Sequence, residues 1–269
     1  MNAERRTAPS PRWALRAAGF AAATFLGGIC AAQASAAGRA EIQINLCSDP
    51  AQAVRALDLR PKADAPTRVW FFDTRALTLY DRGLRLRLRQ TGGTRSELTL
   101  KAGGHDCGRV APGLLKRHDK CEADLHGDRL DATLSLTRML DGHQQERLLA
   151  PGAAAGQALS AALDPVLAKR QRELLGGQAG APDGAALPPE LVRLGPATVR
   201  AYERRGEDVV VEVWTLPAGQ QFVEISQKVE RDAALPGRAR LLERVRSAGL
   251  APCADQDSQA RNKLRLMAD

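Results

Sequence analysis

The chain is marked by short segments in which polar and apolar residues alternate with a period of two. Glu41–Leu46 runs Glu, Ile, Gln, Ile, Asn, Leu, and Leu84–Arg89 alternates leucine and arginine without a break. Such alternation predicts β-strands, because successive side chains on a strand point to opposite faces. Val69–Phe72 is a short apolar run, and Gly92-Gly93 separates Leu84–Arg89 from Leu98-Thr99-Leu100-Lys101, which predicts a hairpin. Lys120–Asp124 alternates again. From Asp131 to about Leu175 the composition shifts to Ala, Leu, Gln, Arg and Glu, and Leu159, Ala162, Leu163, Val166 and Leu167 recur at helical spacing. Two or more helices are expected there, interrupted near Pro151 and Pro165. Gly176–Pro189 predicts a loop. A second strand block follows over Thr198–Arg204, Asp208–Thr215 and Phe222–Val229, and two helical patterns close the chain at Ala239–Ala248 and Gln259–Met267. The fold class is therefore α+β.

The polar positions of these strands carry the chemistry. Glu41, Gln43 and Asn45 share one face, Arg85, Arg87 and Arg89 another, and Lys120, Glu122 and Asp124 a third. Glu224, Ser226 and Lys228 do the same on the last strand. Two architectures accommodate this. An antiparallel sheet can leave one face in water. A barrel can instead turn the charged face inward and cover its apolar outer wall with helices. In the second case arginines would offer paired donors shaped for phosphate, and carboxylates could hold a hard divalent cation.

Composition narrows the setting. Arg5, Arg6, Arg12 and Arg16 precede an apolar stretch, Ala17–Ala32, which ends in the small-residue patterns Ala32-Gln33-Ala34 and Ala34-Ser35-Ala36. That order predicts a cleaved export signal over residues 1–36, followed by one domain over 37–269 and a periplasmic or secreted location. Cleavage removes four Arg and one Glu, so the net charge of +8 falls to +5, or 35 basic against 30 acidic residues. This modest balance, with 4% aromatic residues, gives no reason to expect nucleic acid as a partner, and no second apolar span predicts a membrane. Cys47, Cys107, Cys121 and Cys253 remain, and an even count in an exported chain predicts two disulfides. Of three connectivities, Cys107–Cys121 and Cys47–Cys253 are favoured. A metal site from Cys107, Cys121, His105, His118 and His126 is the alternative, although zinc-type C-x-x-C spacing is absent.

One compound pattern is more specific. Phe71-Phe72-Asp73-Thr74 precedes Leu79-Tyr80, then Leu84-Arg85-Leu86-Arg87-Leu88-Arg89, then Leu98-Thr99-Leu100-Lys101. The order resembles the central signature of the CYTH, or triphosphate tunnel, superfamily. The resemblance implies an antiparallel eight-stranded barrel with flanking helices, enclosing a tunnel in which basic residues grip phosphates and acidic residues hold Mg²⁺ or Mn²⁺. Carried over by position, it implies phosphate contacts from Arg85, Arg87, Arg89, Lys101, Arg200 and Lys263. It implies metal ligation by Glu41, Glu122, Asp124 and Glu224, and catalytic roles for Glu212 and Glu224. The chain departs from the family pattern at Gln43 and Asn45, where the opening motif has a carboxylate and a lysine, and at Ser226, where the late strand has a carboxylate.

Three functions follow as expectations. The first is a barrel that binds polyphosphate or another phosphorylated polyanion with little turnover. The second is a divalent-metal-dependent triphosphate hydrolase. The third is a non-catalytic envelope domain with a structural or protein-binding role. Other features add little: Asp73 reads as a turn cap, Trp70 and Trp214 as wall packing, and Ser160 and Ser226 lack a nucleophile setting.

Overall fold

The computed structural model describes residues 38–92, 95–105, 107, 115–176 and 187–269. The export signal expected over residues 1–36 lies outside them. The N-terminal half begins with β1 (Arg39–Leu46), α1 (Pro50–Ala56), β2 (Arg60–Pro61), β3 (Thr67–Asp73) and α2 (Thr78–Asp81). It continues with β4 (Leu84–Thr91), β5 (Arg95–Gly103), β6 (Lys120–His126) and β7 (Arg129–Leu140). Three helices follow: α3 (Gly142–Leu149), α4 (Gly156–Leu163) and α5 (Lys169–Gly176). The chain ends with β8 (Val192–Glu203), β9 (Val209–Thr215), β10 (Gln221–Glu230), α6 (Ala234–Ser247) and α7 (Ser258–Ala268).

Nine strands close in the order β8-β3-β4-β5-β7-β6-β1-β10-β9, and β9 pairs back onto β8. The short β2 adds to β8 outside the ring. The expected barrel is present, but it has nine strands and is mixed, not eight and antiparallel. The two differences have one cause. Direction can alternate all the way round a ring only when the strand count is even. With nine, one neighbouring pair must run parallel, and that pair is β1 with β6. The helical stretch expected from Asp131 also needs correction, because residues up to Leu140 belong to β7. Thr133, Ser135 and Thr137 alternate there with Leu134 and Leu136, and ladders to β5 and β6 hold both edges. Tertiary pairing overrides the helix-favouring composition.

The apolar faces of the strands point outward and are covered by helices. Ile42, Ile44, Val211 and Ile225 pack under Leu241 and Val245 of α6. The approach is close: a Cβ on Gly237 of α6 would lie 2.9 Å from Ile42 Cδ1. Leu84, Leu86, Leu88, Leu98 and Leu100 pack under Leu148, Leu159, Leu163 and Leu175 from α3, α4 and α5. The terminal helix α7 behaves differently. Its Leu264 and Met267 pack with Val69, Phe71, Val199, Trp214 and Phe222, which lie on the inner faces of their strands, so α7 fills one end of the barrel. Met267 reaches Gly195, where a Cβ would be only 2.7 Å from its Cε and 2.9 Å from the Val69 carbonyl.

Both disulfides have the favoured pairing, Cys47–Cys253 and Cys107–Cys121, which removes the Cys/His metal alternative. Asp73 is a cap, as expected. Its carboxylate accepts from the backbone amides of Thr74 (2.7 Å), Leu79 (2.8 Å) and Tyr80 (2.9 Å) while only 4% exposed. Burial pushes this carboxyl above its ordinary range, and the three amides pull it back down. Asp73→Ala would strand three buried donors. It is expected to cost about 3–5 kcal/mol in urea denaturation, with Asp73→Asn costing roughly half, because an amide keeps one acceptor oxygen.

Candidate functional site

The polar faces line the lumen, and cross-strand register fixes which groups meet. Arg85 lies opposite Lys101, Arg87 opposite Thr99, and Arg89 opposite Glu97 on the neighbouring β5. On the other side of β4, Arg87 faces Phe71 and Arg89 faces Val69. Arg87 therefore sits among an aromatic ring, a hydroxyl and, two residues away along its own strand, two further arginines. Among the described residues, no ion pair reaches Arg85 or Arg87. Enclosure in the barrel is the largest influence on the Arg87 guanidinium and Arg89 the next, and together with Arg85 they pull it down to about 9, against weaker opposing pulls from Glu212 and Glu97. Enclosure likewise lowers Lys101, with Asp124 opposing. Arg89 reaches Glu212 at 3.5 Å, and its buried Nε has no hydrogen-bond partner among the described residues.

The acidic groups form a second arc. Glu41 is in register with Lys228 of β10 and with Asp124 of β6. One rung along, Gln43 faces Ser226, so two of the neutral positions noted in the sequence are cross-strand partners. The next rung sets Asn45 opposite Glu224, which itself faces Glu212 of β9. Four of the carboxylates hold a cation of the chain: Asp124 has Lys101 at 3.7 Å, Glu122 has Lys228 at 3.3 Å, Glu224 has Lys263 at 3.1 Å, and Glu212 has Arg89. Burial raises the Glu41 carboxyl, with Lys101 and Lys228 opposing. Asn45 has a structural role. Its backbone amide donates to Gln256 Oε1 (2.6 Å), and Gln256 Nε2 donates to the Asn45 carbonyl (2.9 Å).

Most of the residues expected from sequence thus converge. Arg200 does not: it is exposed and in register with Val213, on the face of β9 opposite to Glu212. The reason is α7. Inside the barrel at that end its apolar side chains pack on Val199, so β8 turns its apolar positions inward and its polar ones outward. Two contributors went unassigned. Lys228 was visible in sequence as a neighbour of Ser226 on the same face. Trp214 is not plain wall packing: its Nε1 donates to Glu212 Oε2 (3.2 Å) and Lys263 Nζ lies 4.7 Å over its ring. Its i, i+2 spacing from Glu212 was the available signal.

Among the described residues, no three His, Cys, Asp or Glu side chains converge as a metal centre. Of the four carboxylates expected to hold a metal, Glu122, Asp124 and Glu224 each pair with a lysine, and Glu41 lies in register with Lys228. The set therefore does not fit a resident divalent cation, which binds through uncommitted carboxylates.

No family model and no curated protein matches the chain. Solved structures do. A candidate adenylyl cyclase from Hippeastrum, described as having a dominant triphosphatase activity, aligns over 84% of this chain and 97% of its own, with 16% identity and a TM-score of 0.52. The chain has the CYTH, or triphosphate tunnel, fold. A candidate adenylate cyclase from Bacillus halodurans aligns over 83% of this chain and 98% of its own, at 13% identity and a TM-score of 0.47. Within the tunnel fold this chain is divergent, with a basic arc beside an acidic arc paired to Lys101, Lys228, Lys263 and Arg89.

Proposed function

We propose that the barrel binds a linear polyphosphate, or another phosphorylated polyanion of similar shape, within its lumen. One observation carries the reading. Arg85 and Arg87 project into the barrel lumen next to Arg89 and Lys101, and among the described residues no carboxylate forms an ion pair with either of the first two. Enclosed cations without counter-ions are costly, and a phosphoryl chain would supply the charge and match the guanidinium fork. The two disulfides fit an oxidising compartment, in keeping with an exported protein. Among the described residues no helix is long and apolar enough to cross a membrane.

The test is calorimetric titration of the oxidised protein with tripolyphosphate and, separately, orthophosphate at two salt concentrations. Tripolyphosphate is expected to bind more tightly, and its affinity to fall as salt rises. Equal, salt-insensitive responses to both would overturn the reading.

The triphosphatase activity of the Hippeastrum neighbour favours a second reading, in which Glu212 and Glu224, side by side on β9 and β10, support hydrolysis. Phosphate release from tripolyphosphate with Mg²⁺ or Mn²⁺, lost in Glu224→Ala, would establish it.

A further inference from the structure

The lysines of the acidic arc arrive from three different elements. Lys101 is on β5, Lys228 on β10 and Lys263 on α7, and each reaches a carboxylate on another element. Lys228 is the most informative. From β10 it spans the intervening β1 to meet Glu122 on β6, and on the way it lies in register with Glu41. Its ammonium therefore stands beside Glu41 of β1 and Glu122 of β6, so that acidic groups of two strands share one cation. Lys263 does the same for Glu224, is only 11% exposed, and is held over the Trp214 ring by the packing of Leu264 and Met267. The rung between them, Gln43 with Ser226, is neutral.

From this placement we infer that Lys228 and Lys263 stand where a divalent cation would bridge protein to ligand, so that the tunnel takes its phosphorylated chain as the free polyanion and not as a metal complex. The inference rests on the binding reading above. Its chemistry is direct. An ammonium has three donors and no acceptor. One donor is engaged by the carboxylate, and the others can meet phosphate oxygens, so each lysine links an acidic wall to an anionic ligand as a bridging cation does. Unlike a metal ion, it is covalently part of the chain and cannot be removed by a chelator. A phosphoryl chain that already carries Mg²⁺ has less negative charge and meets a site already occupied by positive charge, so the complex should bind more weakly.

The experiment is titration of the full oxidised protein with tripolyphosphate in EDTA and in excess Mg²⁺, for the wild type, Lys228→Ala and Lys228→Arg, with thermal melting to verify each variant's fold. Wild-type affinity is expected to be at least as high in EDTA as in Mg²⁺. Lys228→Ala is expected to lose about 10–100-fold in EDTA, the size of one charge-assisted contact, and to regain part of it when Mg²⁺ is added. Lys228→Arg should keep most of the wild-type affinity. Wild-type binding that requires Mg²⁺ would overturn this inference and leave the binding reading intact. Unchanged affinity of Lys228→Ala in EDTA would also overturn it. Absence of binding in either buffer would overturn the binding reading itself, and the inference with it.

Discussion

Arg87→Met is expected to weaken tripolyphosphate binding by about 10–100-fold and, in the same protein, to raise the unfolding midpoint. The two effects have opposite signs because of where Arg87 sits. Its cross-strand neighbours are Phe71 and Thr99, and the residues two positions away on its own strand are Arg85 and Arg89. Inside the barrel the guanidinium loses hydration and meets like charges, which pull it below its ordinary range, to about 9. Methionine of similar length keeps the packing against Phe71 and removes that penalty, for a gain of about 1 kcal/mol. With phosphate present the same position would contribute a charge-assisted hydrogen bond, so removing it costs affinity. Urea denaturation and calorimetry on one preparation test both halves. A variant that is less stable and binds normally would make Arg87 a structural residue and remove the main support for the binding reading.

Removing the Cys47–Cys253 bridge, by Cys47→Ser with Cys253→Ser, is expected to cost about 5 kcal/mol, because it opens a loop that constrains most of the unfolded chain. The two residues are separated by 206 positions, whereas Cys107 and Cys121 are 14 apart, for which the same reasoning gives about 3 kcal/mol. The native geometry around the long-range bridge would survive its loss. Cys47 donates its amide to the Ala251 carbonyl (2.8 Å), Cys253 donates to the Asn45 carbonyl (2.9 Å), and Gln256 clips Asn45 from the side. The loss should therefore act on the unfolded state and also show as a steeper denaturant slope, since the freed chain exposes more surface. A midpoint unchanged by the double substitution would mean that the unfolded chain is already held compact without the bridge.

What could be read in the sequence follows from the periodicity of each strand. The Leu-Arg alternation of Leu84–Arg89 fixed both faces of β4, since every leucine is buried in the outer wall and every arginine looks inward. Glu41–Leu46 and Phe222–Val229 were legible for the same reason. Arg200 was not, because the polar-inward rule inverts wherever something apolar occupies the interior, and α7 lies far from β8 in sequence. The residues of β7 were misread because Leu, Ala, Arg and Met favour helices, while their alternation with Thr133, Ser135 and Thr137 is visible only in a short window. The odd strand count could not be read from single segments at all, since it is a property of ring closure. Nor could the lysine–carboxylate pairing, because it depends on register between β10, β1 and β6.

The place of β1 has a consequence for how the molecule is made. Its two neighbours in the ring are β6 and β10, neither adjacent to it in the chain. The first strand cannot complete its ladders until residues 221–230 have been synthesised. Contact order is therefore high, and folding is expected on the order of milliseconds to seconds, not microseconds. Until β10 takes its place between β1 and β9 the ring is an open sheet with two unpaired edges, and closure is the step that hides both from pairing with other chains.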